Sequence, residues 1–235
     1  MLKTRSLLLA LPLVAALFTG ACSGDDATST CDALPDDALA QAKAKLDETS
    51  GLKVSLTATN FPSGSTGVNS AEGIGVHPAG FAGTVNAAMS AFTADVEVVA
   101  TDGKVWLNIA GGGFAEEDPA RYNAPDPAVL MATEGGASDL LVKTTGVSGC
   151  SDERGGSDNS QVFGKFSGTL PGEDVSRIIP TASGDSFDVS YLIDADGQVN
   201  EVRMTGVFYE GTPEMTYTIN FSEYGKYSES DVTAP

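Results

Sequence analysis

Two Asp-Gly turns, each set between runs of β-branched and alternating residues, do most to limit what this chain can fold into. One joins Asp95–Ala100 to Lys104–Ile109 through Thr101-Asp102-Gly103, and the other joins Phe187–Ile193 to Val199–Phe208 through Asp194-Ala195-Asp196-Gly197. Asp-Gly supplies the backbone conformation that a tight hairpin requires, so both pairs are expected to be antiparallel. Two further segments alternate in the same way. Leu52, Val54, Leu56 and Ala58 interleave with Lys53, Ser55, Thr57 and Thr59, and Met215, Tyr217, Ile219 and Phe221 interleave with Thr216, Thr218 and Asn220. Gln161–Thr169 is a further strand, carrying Val162 and Phe166. An alternation of period two buries one face of a sheet and leaves the other in water.

Helical signals are fewer and shorter. Pro35-Asp36-Asp37 opens a helix running to about Thr49, with Ala38, Leu39, Ala42 and Leu46 at helical spacing and acids in the first turn, where the helix dipole favours them. Asp126-Pro127 starts a piece with Val129, Leu130 and Met131, and Ala137-Ser138-Asp139 starts one with Leu140, Leu141 and Val142. Glu173–Pro180 makes two turns, ended by its proline. Residues 60–75, rich in Gly, Ser and Asn, are expected to form a turn or mobile loop. Residues 74–92 are expected to form one or two short strands, and Gly149–Asn159 an acidic loop holding Cys150. A helix, antiparallel strands, short helices and strands again predict an α+β fold, with one curved antiparallel sheet and its helices segregated to one face.

The first 22 residues address the protein. Lys3 and Arg5 precede the apolar run Leu7–Phe18, and Thr19-Gly20-Ala21-Cys22 follows. The run is too short to span a bilayer and has the layout of a secretory signal. A cysteine after two small residues matches the bacterial lipobox, although Thr19 stands where leucine is preferred. Residues 1–21 are therefore expected to be a lipoprotein signal peptide. Cys22 would be the lipidated residue, carrying diacylglycerol and palmitate, residues 22–35 a flexible tether, and residues 36–235 the domain. The expected location is the outer face of the cell membrane. Lys3 and Arg5 leave with the signal, so the 13 basic residues of the chain fall to 11 against 32 acidic ones. Such a balance argues against nucleic acid as a partner. With Cys22 lipidated, Cys31 and Cys150 remain as a pair in an oxidising compartment. A disulfide between them would contribute about 4 kcal/mol in the chain-entropy picture, the alternative being two separate thiols.

Catalytic constellations are scarce, and no enzyme activity, metal or cofactor is expected. His77 is the only histidine and lies in a His-Pro-Ala-Gly turn. Nothing supplies a nucleophile–base pair. Asp194-Ala195-Asp196-Gly197 resembles the start of a calcium loop but lacks its closing ligands, and Glu116-Glu117-Asp118 is expected to be solvated loop charge. The stronger signal is apolar. Val54, Leu56, Val96, Val98, Val189, Tyr191, Val202, Met204, Phe208, Tyr217 and Ile219 share one face of the expected strands. Periodicity alone favours an ordinary packed core for them, with a greasy pocket as the alternative if the few short helices do not fill the concave side.

Several blocks, taken in order, resemble the LppX/LprAFG lipoproteins of actinobacteria, LprG-like members most of all. They are the lipobox at Cys22, the opening helix with Leu52–Leu56, the hairpin Asp95–Trp106, Tyr122–Leu130 and the helix at Gly136–Val142. Phe166–Thr169 running into Val175–Pro180, and Phe221–Tyr227, complete the set. The resemblance implies a half-barrel antiparallel sheet with helices on its concave face, enclosing an apolar cavity as in the LolA/LolB carriers. It implies a monomeric envelope lipoprotein that binds acylated lipids or glycolipids and carries them between envelope layers, with an envelope efflux transporter as a possible partner. The apolar-face residues above, with Phe166, would form the cavity wall, each buried methylene contributing about 0.8 kcal/mol. Leu130, Leu140 and Leu141 would form its mouth. The competing expectation is a lipoprotein with a packed core that serves as a structural or partner-binding module of an envelope transporter.

Overall fold

The computed structural model describes residues 31, 34–89, 92–122, 124–155 and 160–235. Cys22, the expected signal 1–21 and most of the 22–35 tether lie outside the described residues. Helix α1 spans Pro35–Glu48, with Pro35 in its first turn, Asp36 and Asp37 beside it, and Ala38, Leu39, Ala42 and Leu46 buried. The side of the helix that recurs every three to four residues is the side that packs.

Eleven strands form one sheet. The first six are β1 (Gly51–Thr59), β2 (Gly67–Val76), β3 (Gly80–Met89), β4 (Phe92–Thr101), β5 (Lys104–Ile109) and β6 (Ala115–Glu116). The remaining five are β7 (Thr145–Gly155), β8 (Gln161–Pro171), β9 (Ser186–Ile193), β10 (Val199–Gly206) and β11 (Met215–Ser222). Their spatial order is β6-β5-β4-β3-β2-β1-β11-β10-β9-β8-β7, and the neighbours pair antiparallel. The chain thus lays one meander outward to β6, crosses to the far edge, and lays a second meander back until β11 pairs with β1. At that seam Val54 faces Phe221 and Leu56 faces Ile219.

The crossing determines where the helices lie. Residues 117–144 must carry the chain from one sheet edge to the other, and they do so over the concave face. They hold a 3-10 turn at Val129–Met131 and helix α2 (Asp139–Lys143); helix α3 (Gly172–Ile178) lies between β8 and β9. This is the α+β half-barrel expected from the sequence. Both Asp-Gly turns form as expected. Asp102 and Gly103 take φ of 53° and 70°, the pair of positive values that matches the twist of the flanking strands. In the other turn the Asp194 carboxylate accepts the amides of Asp196 and Gln198 at 3.0 and 2.9 Å.

Two segments differ from expectation. Most of the predicted loop 60–75 is strand β2. Its small residues are there for close approach: a Cβ on Gly73 would lie 2.7 Å from the Phe81 ring, and one on Gly75 would lie 2.5 Å from Met131 Sδ. The composition that reads as a loop is what lets an aromatic ring and the crossing segment lie flat on the sheet. The predicted loop 149–159 is largely β7, an edge strand whose register slips twice near Gly146 and Gly149. Exposed edges carry charge and bulges to discourage further pairing, so this strand has a loop's composition. Cys150 lies on it and forms a disulfide with Cys31, with Cα atoms 5.1 Å apart.

The core is in two parts. The larger joins α1, α2 and α3 to the inner faces of β8–β11, through Phe166, Phe187, Tyr191, Met204, Phe208 and Met215. The smaller holds Phe81, Val96, Val98, Ala100, Val105 and Ala128.

Candidate functional site

Between the two cores the concave face is left open. A cavity of about 180 Å³ lies there, walled by the inner faces of β1–β5, by β10 and β11, and by the crossing segment and α3. Its lining is almost wholly apolar. Nine of the residues expected on the wall or at the mouth line it: Val54, Leu56, Val96, Val98, Leu130, Leu140, Met204, Tyr217 and Ile219. The other six do not. Leu141, Phe166, Val189, Tyr191, Val202 and Phe208 are buried in the larger core, packed under the helices. Strand alternation places a residue on the concave face but does not say whether a helix lies above it. Of the residues expected at the mouth, Leu130 is half-buried on the crossing segment and lines the cavity, while Leu140 and Leu141 of α2 are 4% and 2% exposed.

Other lining residues were missed. Val105, Leu107 and Ile109 alternate with Trp106 and Asn108 along β5, a signal present in the sequence. Phe81, Val85 and Ala87 lie on β3, in the stretch whose elements the sequence left unresolved, and Met131, Ile178 and Tyr209 come from connections.

The polar atoms of the cavity wall are engaged with one another. Tyr217 donates to the Val68 carbonyl at 2.9 Å, and the Tyr209 and Tyr217 hydroxyls are 3.2 Å apart. Burial pushes both phenols up from their ordinary value, so the wall carries no charge from them at neutral pH. Tyr191 lies under α2, where its hydroxyl is 2.6 Å from Thr144 Oγ1 and donates to the Leu140 carbonyl at 3.3 Å.

The crossing segment is held unevenly. At its far end Lys43 Nζ of α1 meets Asp139 at 3.1 Å, the Thr133 carbonyl at 2.9 Å and Ser138 Oγ at 3.3 Å, besides Asp47 at 2.6 Å on its own helix. Burial works against the Lys43 charge, but the two carboxylates outweigh it and raise its pKa. For Asp139 burial is likewise overcome, by the Gly135 amide and by Lys43, and its pKa is lowered. At its near end the Glu117 amide donates to Val105. Between these points, among the described residues, the hydrogen bonds made by Asp118–Ala132 stay within residues 117–137. Among its described residues, apolar contact is what presses this strap onto the sheet. Its outer side borders an open groove of about 610 Å³, with Lys104, Glu116, Arg121 and Asp126 on its walls. Pro119, Ala124, Pro125 and Leu130 line both spaces.

His77 has a structural position: Nε2 lies 2.9 Å from the Leu46 carbonyl at the end of α1. Among the described residues no three His, Cys, Asp or Glu side chains converge as a metal site, and no helix is long and apolar enough to cross a membrane.

A match to the family described as LppX_LprAFG lipoprotein runs over residues 34–229. The chain belongs to that family. LppX_LprAFG architecture recurs in the solved structures it resembles. LprF from Mycobacterium bovis superposes with a TM-score of 0.66 at 14% identity, covering 86% of this chain and 95% of LprF. LppX from Mycobacterium tuberculosis gives 0.57 at 12% identity, covering 82% of this chain and 96% of LppX. At such identities the likeness is one of fold. No curated protein matches the chain.

Proposed function

We propose that this LppX_LprAFG member is an envelope lipoprotein that shelters the acyl chains of lipids or glycolipids in its concave cavity and carries them between envelope layers. The observation that carries the reading is a cavity walled by aliphatic side chains, with its tyrosine hydroxyls already paired. Such a wall recognises methylenes and offers an ion nothing. Residues 1–21 are the signal, Cys22 is the lipidated anchor on the outer face of the cell membrane, residues 22–35 are the tether, and residues 36–235 form the monomeric binding domain. An envelope efflux transporter is the partner that would receive the cargo.

Size is the main constraint on this reading. Pockets for drug-sized ligands run from about 300 to 1,000 Å³, and a cavity of about 150 Å³ holds a molecule the size of benzene. At about 180 Å³ the cavity holds part of one acyl chain. Loading therefore needs more room, and the strap Asp118–Ala132 supplies it by lifting off the sheet, since its described residues make no hydrogen bond to the sheet. Native mass spectrometry of the purified protein tests the proposal. A co-purifying acylated species is expected. A bare protein mass, with no uptake of a fluorescent fatty acid, would support the packed-module alternative instead.

A further inference from the structure

The cavity lining runs out to one end of the sheet, where the tips of the first meander carry no charge, although the β10–β11 loop at the same end holds Glu210 and Glu214. The hairpin β1–β2, the hairpin β3–β4 and the loop after β5 all turn there, as the registers Gly67↔Ala88, Met89↔Phe92 and Val96↔Ile109 require. Met89 and Ile109 line the cavity at this end. Phe92 continues the same inward-facing row beyond them and is 63% exposed; Phe114, in the loop after β5, is 40% exposed. Residues 54–71, 73–94 and 105–115 contain no Asp, Glu, Lys or Arg, in a chain of which 19% is charged and whose net charge is −19. The other end of the same strands has Asp102 and Lys104 in its β4–β5 turn.

We propose that these hairpin tips are a membrane-contacting face, which seats against the uncharged interfacial zone of a lipid bilayer with Phe92 and Phe114 as its apolar contacts. The occupant follows from two observations. An acyl chain leaving a bilayer for the cavity avoids water only if the apolar wall meets the bilayer without a gap, and Met89, Phe92 and Ile109 provide that continuity. An acidic protein is repelled by an anionic surface and meets least resistance through a part that lacks carboxylates. Exposed aromatic side chains gain by entering the interface. The inference rests on the lipid-carrier reading for its purpose, but the contact can be measured without it.

The test uses the full chain bearing Cys22→Ser, so that no acyl anchor contributes, and phosphatidylcholine vesicles. Phe92→Trp is expected to give a blue-shifted emission on adding vesicles, quenched by brominated acyl chains, over the background of the native Trp106. Asp196→Trp, in the β9–β10 turn at the opposite end of the sheet, is expected to give neither. Phe92→Asp combined with Phe114→Asp is expected to weaken vesicle partitioning about tenfold or more, with the thermal melt unchanged, because both side chains are exposed. No blue shift at position 92, or equal shifts at 92 and 196, would overturn the proposal even if lipid co-purifies. Vesicle contact at 92 by a protein that takes up no lipid would leave this face standing and remove the carrier reading.

Discussion

The two meanders of this sheet are built alike and end up different. Strands β8–β11 turn Phe166, Phe187, Tyr191, Met204 and Met215 toward the concave side, and α1, α2 and α3 lie on them as a dense core. Strands β1–β5 turn Val54, Leu56, Val85, Ala87, Val96 and Val98 the same way and leave a cavity. Backbone geometry is shared, so it does not explain the contrast. Side-chain volume and cover do. The second meander joins large side chains to three helices, while the first has small ones under a strap that holds on by apolar contact. A concave sheet becomes a core or a container according to what its inner face carries and what the connection above it provides.

Truncations on the two sides should separate them most sharply. Phe166→Ala is expected to cost about 3–5 kcal/mol in urea unfolding, because the hole it leaves is closed in by helices. Val98→Ala, at the cavity wall, should cost well under half as much, since part of its surroundings is already empty. Equal losses would break the comparison. Next in size is Lys43→Met, which removes the cation joining α1 to the crossing segment. About 2 kcal/mol is expected, with faster amide exchange at 133–142 and little change in β3–β5.

The carboxylate side of that junction gives a smaller, pH-dependent effect. Asp139 has a folded-state pKa below its ordinary value of 3.8, so its contribution is present above that value and is lost as pH falls through the lowered one. The stability gap between the native chain and Asp139→Asn, about 1 kcal/mol at pH 7, should close in thermal melts as the pH falls below the ordinary value of 3.8. A gap that stays constant would show that Lys43 gains nothing from the Asp139 charge. The smallest stability change belongs to Ala87→Trp, which fills space and should shift stability by no more than about 1 kcal/mol. Lipid recovered by native mass spectrometry should nonetheless fall severalfold. Undiminished lipid would mean that the acyl chains lie elsewhere.

The sequence made the second meander and the β4–β5 hairpin legible because alternation and Asp-Gly turns are local signals. It disclosed β2 and β7 poorly, for opposite reasons. Gly73 and Gly75 in β2 are small so that Phe81 and Met131 can lie against the sheet, a requirement set by residues distant in sequence. Polar residues in β7 belong to an edge that should not pair further. For the site, alternation identified the concave face, and the family resemblance implied a cavity in it. Neither could separate Val98, under the strap, from Val189, under helices. That division depends on the course of the crossing segment, which Leu130, Leu140 and Leu141 do not encode by their spacing.

The pairing of β1 with β11 has a consequence for how the chain comes to be folded. Its central seam joins the first strand to the last, so the sheet cannot close until residue 222 has emerged. Contacts so far apart in sequence form slowly, because a long loop must be ordered before they are gained. If the chain is exported as proposed, this delay is useful: the polypeptide would remain threadable through a translocation pore until its final strand arrives, and assembly would begin on the far side.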